Sequence, residues 1–457
     1  MKQPFNIREL AYEALLAVQK DGRQSHLVLQ EFVQKSETRT DAAARDRAFL
    51  TRLVEGTIEY TLQLDYVIGQ FSRTPVRRIK TQILVILRLA AYQILYMDAV
   101  PDRAAVNEAV NLAAKKGFGG LRGFVNGVLR TLARNKDTIV WPDPEIDAAA
   151  YISVRCSIAK EIVSAWINRY GFEKTEAICR SFLKNVPVCV HRISGTLSDR
   201  YCPSGYLADA WFLKATERSL TELDDFREGR IYIQDLSSQI ALYSAGIRPG
   251  DTVLDLCAAP GGKSLLAAGL CRSSDPDSSD GGWVLSYDLT DEKTDLIREN
   301  CRRCHMPNIR IGTADARQFD PTLEAQFDVV IADLPCSGFG VAGKKPEIKY
   351  KDYKETVAAL SGLQKQILEN AVRYVRPGGK LLYSTCTIAV EENEDNAAWL
   401  TRQFGLMPVD LRKNLPEKLQ GIPTAQKGYV QLLPGDGPWD GFFFSLFVRP
   451  DTQEGNS

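Results

Sequence analysis

The stretch Val253–Ser264, VLDLCAAPGGKS, decides how this chain is read. Val253–Cys257 is apolar with one acid, Asp255, and predicts a short buried strand. Ala258-Ala-Pro-Gly-Gly262 contains only small residues and predicts a tight turn. Ser264–Leu270 then predicts a helix. A strand, a glycine turn and a helix N-terminus together make a site for part of a nucleotide-like ligand. The glycines let the backbone approach closely, and the free N–H groups of the first helical turn point at the ligand. The stretch is neither of the common phosphate loops. Position 257 is Cys where G-x-x-x-x-G-K-[ST] needs Gly, and G-x-G-x-x-G is absent here.

The surrounding chain is 457 residues long, room for two or three domains with separate cores. Lys+Arg equals Asp+Glu at 57 each, so net charge excludes no partner. Its distribution is uneven: residues 1–140 hold 21 basic against 14 acidic residues. That suits an anionic surface such as RNA, and a solvated face equally well. The N-terminus, Met1–Asn6, has no apolar core of a secretory signal. The most apolar run, Ile83–Met97, contains Arg88 and is too short for a bilayer. The ten cysteines are scattered in apolar or motif-like contexts, a pattern of free thiols. We therefore expect a cytoplasmic protein with no membrane segment. With three histidines, His26, His191 and His305, histidine-centred catalysis has few candidates.

Residues 1–137 predict an all-α bundle. Ile7, Leu10, Ala11, Ala14, Leu15 and Val18 keep a 3.6 period, as do Leu50, Leu53, Val54 and Ile58, and Val125, Val128, Leu129 and Leu132. Trp141-Pro-Asp-Pro144 reads as a linker. Residues 145–235 predict a small α+β domain, with helices over 158–170 and 173–183 and strands over 188–193, 210–213 and 230–234. Residues 236–450 predict an α/β doubly wound domain. Its strands are 252–256, 283–288, 309–313, 327–333 and 380–384, with a helix over 356–376 ended by Pro377-Gly-Gly379. Tyr429–Leu433 and Gly441–Val448 predict an antiparallel hairpin. Arg272–Gly282 predicts an exposed loop without evident function.

Open α/β sheets bind ligands at the carboxyl ends of their strands. Four predicted strands end in or near an acid: Asp255, Asp288, Asp315 and Asp333. Asp288 suits a ribose, since a carboxylate accepts from both hydroxyls, and Asp315 suits a purine exocyclic amine. Each alone is more often a cap or turn residue; the series is harder to dismiss. Asp333-Leu-Pro-Cys-Ser-Gly338 and Ser384-Thr-Cys-Thr387 place Cys336 and Cys386 at strand tips, facing the same crevice. Two such cysteines argue for thiolate chemistry, and spacing alone does not rank them. Cys301-Arg-Arg-Cys304-His305 matches a haem-attachment pattern, but no export signal accompanies it and no second Cys pair completes a zinc site. We expect no metal.

These residues closely resemble the RNA cytosine-5 methyltransferase family. Asp255–Lys263, Asp333–Cys336 and Ser384–Cys386 look like its cofactor loop, Pro-Cys motif and Thr-Cys motif, and Gln234-Asp235 and Glu391-Glu-Asn-Glu394 also match family positions. Asp102–Val110, Lys115-Lys116 and Phe124–Arg130 resemble a NusB-type RNA-binding domain. Together they cover nearly the whole chain in the layout of the bacterial 16S rRNA enzymes of the Sun/Fmu type. The resemblance implies S-adenosylmethionine held by Cys257, Ala258, Ala259, Pro260, Gly261, Gly262, Lys263, Asp288, Asp315 and Asp333. It implies Cys386 as nucleophile, Cys336 as the group assisting adduct release, and Asp333 on the base near N3. The implied substrate is an unpaired or loop cytosine of 16S rRNA, acted on by a monomer. One element departs from the family. After the Pro-Cys motif, Gly343-Lys-Lys-Pro346 stands where an Arg-Arg-His-Pro-like element is common, with Lys345 in place of the His. The expected role of this loop is RNA contact.

Overall fold

The computed structural model describes residues 6–21, 23, 25–37, 43–184, 186–214, 220–273 and 281–451. The centre of the expected 272–282 loop lies outside these residues. The chain divides into two compact units, 1–183 with 342–353, and 184–341 with 354–457.

The first unit is helical: α1 (Ile7–Asp21), α2 (Ser25–Glu37), α3 (Ala43–Glu59), α4 (Thr61–Phe71), α5 (Thr81–Tyr96), α6 (Asp102–Lys115), α7 (Arg122–Asn135), α8 (Ala148–Cys156), α9 (Lys160–Tyr170) and α10 (Phe172–Ser181). The apolar stripes read from the sequence form its core, with Leu15, Leu50, Leu53, Val54, Val125, Leu129 and Leu132 fully buried. α5 is buried on nearly every side, which explains its continuous apolar run. Arg88, the one charge in that run, is tied to Asp65 at 2.5 Å and to Gln19.

The loop after the Pro-Cys motif belongs to this unit. Lys349 is fully buried, with its ammonium 3.6 Å from Glu59. The Tyr350 hydroxyl lies 2.6 Å from the carbonyl of Ile58, and Ser25 donates to Glu347. These contacts pack 347–350 into the helical unit, while Gly343–Lys345 stay exposed.

The stretch 145–235, expected as one α+β domain, is split. Its helices α8–α10 sit in the first unit, and its strands in the second. β1 (Cys189–Arg192), β2 (Tyr201–Pro203), β3 (Ala210–Leu213) and β4 (Ile231–Ile233) form a four-stranded antiparallel sheet, β2 being the strand that sequence patterning missed. The short α11 (Asp224–Arg227) precedes β4.

From α12 (Leu236–Ser244) onward come β5 (Thr252–Asp255), α13 (Gly262–Cys271), β6 (Trp283–Asp288), α14 (Asp291–Arg303), β7 (Ile309–Thr313), β8 (Phe327–Asp333), α15 (Tyr353–Tyr374), β9 (Val375–Thr385), α16 (Glu394–Phe404), β10 (Met407–Pro408), β11 (Tyr429–Leu432) and β12 (Phe442–Val448). They build an eight-stranded sheet ordered β10-β12-β9-β8-β5-β6-β7, with β11 also on β12. The five consecutive strands β9-β8-β5-β6-β7 are parallel, and β12 closes antiparallel on β9. Alternate residues of β8 enter opposite cores. Val329 and Ile331 meet α12 and α13, whereas Val330 and Ala332 meet α15 and α16. Burial on both faces is why β8 reads as a nearly unbroken apolar run. The predicted hairpin is β11–β12, paired from Tyr429↔Ser445 to Leu432↔Phe442. Helix α15 ends at Tyr374, short of the expected Pro-Gly-Gly stop. Pro377–Gly379 lie within the irregular start of β9, where the β8 register shifts.

Candidate active site

The glycine turn lies at the carboxyl end of β5. Gly261 has φ +109°, a conformation that favours glycine, and a Cβ at Gly262 would lie 2.7 Å from the Tyr232 ring. The first bond of α13 runs from Leu265 N to Gly261 O, so the amides of Gly262–Ser264 precede the helical ladder. Asp255 does not face the turn's opening. It is fully buried, takes the Ser264 hydroxyl at 2.7 Å, and burial raises its carboxyl to about 7. It anchors the helix start from below. Cys257 is half-buried, and burial pushes its thiol up strongly.

Asp288, at the end of β6, gathers three donors: Ala259 N at 2.9 Å, Leu289 N at 2.7 Å and the Lys293 ammonium at 2.9 Å. It thus joins the turn to the neighbouring strand end. Asp315 follows β7 and is held by Arg317 through both carboxylate oxygens, which lowers its carboxyl. Asp333, at the end of β8, accepts from Lys263 at 2.6 Å and from Ser384 at 2.7 Å. Lys263 therefore links the glycine turn to the Pro-Cys strand.

A donor-rich ligand fits this crevice. The Gln234 side-chain Oε1 is buried without a hydrogen-bond partner, and this side chain lies beside the Gly262 position. An orphaned acceptor there suits a ligand carrying hydroxyl and amino donors, as S-adenosylmethionine does.

The two cysteines meet. Asp333 and Ser384 are register partners on parallel β8 and β9. The chain beyond each strand then brings Cys336 Sγ to 3.3 Å from Cys386 Sγ. The third approach is Gly340, whose N–H donates to the Cys386 carbonyl and whose absent Cβ would lie 2.1 Å from the Gly441 oxygen. The Cys386 sulfur, burial and the charges of Glu392 and Asp333 all push the Cys336 thiol well above its ordinary value.

A polar layer lies under the thiols that the sequence reading quoted only in part. The Glu392 carboxylate accepts from Ser337 N at 2.9 Å, Gln364 Nε2 at 2.9 Å and the Ser337 hydroxyl. Ser337 Oγ lies 2.6 Å from Thr387 Oγ1, and Gln364 also donates to the Pro335 carbonyl. Asn393 donates to the Thr387 carbonyl, and Asn396 to Gln364. All of these side chains are at most 1% exposed. A signal was present in the sequence: Gln364 interrupts the apolar face of α15, four residues from both Leu360 and Leu368. The Cys301–Cys304 pair, by contrast, is buried with Leu265 and Ile297 and serves the core. Among the described residues no cluster of His, Cys, Asp or Glu could hold a metal ion, and no helix is long and apolar enough to cross a membrane.

An open, mostly parallel sheet with a glycine turn after one strand and an acid ending the next is the construction of the S-adenosylmethionine-dependent methyltransferases. Solved structures share the fold. PH0851 aligns over 98% of this chain and 100% of its own at TM-score 0.76 and 21% identity. NSun6 from Pyrococcus horikoshii aligns over 64% and 98% at TM-score 0.54 and 19% identity. The chain is 34% identical to the probable ribosomal RNA small subunit methyltransferase B of Bacillus subtilis, over 96% of this chain and 97% of that protein. It is 29% identical to the ribosomal RNA small subunit methyltransferase B of Cronobacter sakazakii, over 98% and 100%. The 16S rRNA methyltransferase RsmB/F family profile matches residues 244–448, and the NusB family profile matches residues 5–134. This chain belongs to the ribosomal RNA small subunit methyltransferase B family.

Proposed function

We propose that the chain methylates C5 of an unpaired cytosine in 16S rRNA through a covalent cysteine–C6 adduct. The observation that carries this reading is the thiol pair, 3.3 Å apart beside Asp333 and the glycine turn. C5 of cytosine is a poor nucleophile, and adding a thiolate to C6 makes it enamine-like. When bound, S-adenosylmethionine supplies an electrophilic methyl group. Gly261–Lys263, Asp288 and Asp315 hold that ligand, with Asp288 on the ribose hydroxyls. Thiolate addition develops negative charge toward N3, a proton taken up by N3 offsets it, and Asp333, kept in place by Lys263 and Ser384, hydrogen-bonds the base at that N3–H. Cys386 adds to C6. After the methyl group is on C5, the C5 proton leaves, the electron pair reforms the C5–C6 double bond, and the Cys386 thiolate departs. Cys336, in contact with Cys386 Sγ, assists that last stage. The target base must be unstacked to expose C6, and unpaired RNA makes this inexpensive.

Denaturing electrophoresis of RNA reactions tests the two roles. Cys386→Ala is expected to be inactive with no covalent complex. Cys336→Ala is expected to attack and then stall, leaving a persistent protein–RNA adduct. The reverse pattern makes Cys336 the nucleophile and overturns the assignment.

A further inference from the structure

Among the described residues, Glu392 is the carboxylate of the buried layer beneath the thiols, and its partners are unusual in where they lie. Its Oε1 takes the amide of Ser337, which is the peptide N–H that follows Cys336, and its Oε2 takes the Ser337 hydroxyl. A hydroxyl has one proton to give. With the Ser337 proton on Glu392, the 2.6 Å contact is donated by Thr387 Oγ1 to Ser337 Oγ. Thr387 directly follows Cys386. One side chain therefore fastens the residue after each cysteine. Gln364 completes the clamp by donating both to Glu392 and to Pro335 O, the carbonyl before Cys336.

The layer is also asymmetric in charge. Glu392 bonds the Cys336 peptide directly and reaches the Cys386 loop only through two hydroxyls. Burial raises the Glu392 carboxyl above its ordinary value, and the two amide donors on Oε1 and the hydroxyl on Oε2 oppose that by favouring the ionised form. A fixed negative charge next to one of two touching sulfurs disfavours a thiolate there and favours it on the other.

We propose that Glu392 is a positioning residue for the thiol pair: it ties the two cysteine loops together, and its charge keeps the shared proton on Cys336 so that Cys386 is the sulfur that attacks. This rests on the covalent mechanism above and adds a reason for the division of labour. Burial of both cysteine neighbourhoods and the raised Cys336 thiol are in keeping with it.

The test is Glu392→Gln in the full chain. An amide can keep Oε1 as the acceptor of Ser337 N and Gln364, and can donate to Ser337 Oγ, whose proton then turns to Thr387. The variant removes charge while the layer stays satisfied. Affinity for S-adenosylmethionine and KM for RNA are expected within about twofold of wild type, with kcat lowered by about tenfold or more, as for loss of a proton-handling advantage. Brief iodoacetamide labelling, quantified by peptide mass spectrometry, is expected to move from Cys386 towards Cys336, a shift that a purely structural role would not produce. Wild-type kcat with a wild-type labelling ratio overturns the proposal. Should Glu392→Gln lose cofactor binding, Thr387→Val decides. It cuts the hydroxyl link between the loops and leaves the Gly340–Cys386 backbone bond and the charge, so kcat is expected to fall with labelling still favouring Cys386, and unchanged kcat overturns the clamp. An adduct in Cys336→Ala alongside an indifferent Glu392→Gln removes this inference alone; no adduct in either cysteine variant removes the covalent reading itself.

Discussion

Replacing Asp288 by alanine is the most direct test of the cofactor crevice. The residue is 4% exposed, and its carboxylate holds Ala259 N, Leu289 N and the Lys293 ammonium. A carboxylate has roughly four acceptor sites, and the Lys293 side chain is half exposed, so it can yield to a ligand. A ribose then finds room for both hydroxyls on the charge while the two backbone amides stay bound. Losing these charge-assisted bonds should cost about 2–3 kcal/mol of binding. That corresponds to a Kd about 30- to 150-fold weaker. The assay is calorimetric titration with S-adenosylmethionine and with S-adenosylhomocysteine. Both carry the ribose, so both should weaken by the same factor. Asp288→Asn keeps one oxygen for Ala259 N and should fall between the two extremes, whereas Lys293→Ala should leave affinity within about twofold. Affinity for both ligands unchanged in Asp288→Ala would refute the placement of the ribose.

Asp255→Asn examines the buried acid under the turn. Its folded carboxyl is raised to about 7 against about 4 unfolded, so its stabilising contribution is complete below pH 4 and lost as pH rises to 7. The melting temperature of the variant minus that of wild type should therefore climb across pH 4–7, and a flat difference would show the acid to be unshifted. Lys349→Met removes a buried ammonium 3.6 Å from Glu59 and leaves that carboxylate without its cation, so it should lower thermal stability, and Lys349→Ala should lower it further, by about 2 kcal/mol or more, through the cavity. Arg77 and Arg78 are exposed between α4 and α5 without ion pairs among the described residues. Reversing both to Glu in the full chain should weaken RNA binding and reduce its salt slope by about 2; an unchanged slope would make the helical unit a scaffold.

Much of this architecture could be read from local pattern. The β8 strand begins and ends where its apolar run does, because this central parallel strand is buried on both faces, whereas β6 alternates and the edge strand β7 is only partly buried. The glycine turn was legible since small residues there have few other uses. What escaped depends on partners far away in the chain. β2 is a three-residue strand with Pro203 at its end, and only pairing with β3 defines it. The loop Gly343–Pro346 is expected to contact RNA, and its Gly343–Lys345 are exposed, but nothing local signals that it leads into Lys349 and Tyr350, whose burial is set by Glu59 and Ile58 some 290 residues earlier. The lysines at 115 and 116, quoted in the NusB-like motif, are spoken for by Glu9 and Glu13 on α1. The thiol pair was half legible: two strand tips could be placed side by side, but the approach of the sulfurs depends on Ser337, Thr387 and Glu392 packing below them.

The excursion of 342–353 into the helical unit has a consequence for any attempt to take the molecule apart. The polypeptide crosses between units after Leu183, again after Val341, and back before Lys354. No single cut can release either unit whole. A fragment ending at 183 would lack the segment that places Lys349 against Glu59 and Tyr350 against Ile58, and a fragment beginning at 184 would carry that segment with its packing partners gone. The two parts are thus not exchangeable cassettes strung on a linker. Transplanting the front end onto another catalytic unit would require carrying twelve further residues along, spliced six positions beyond Cys336.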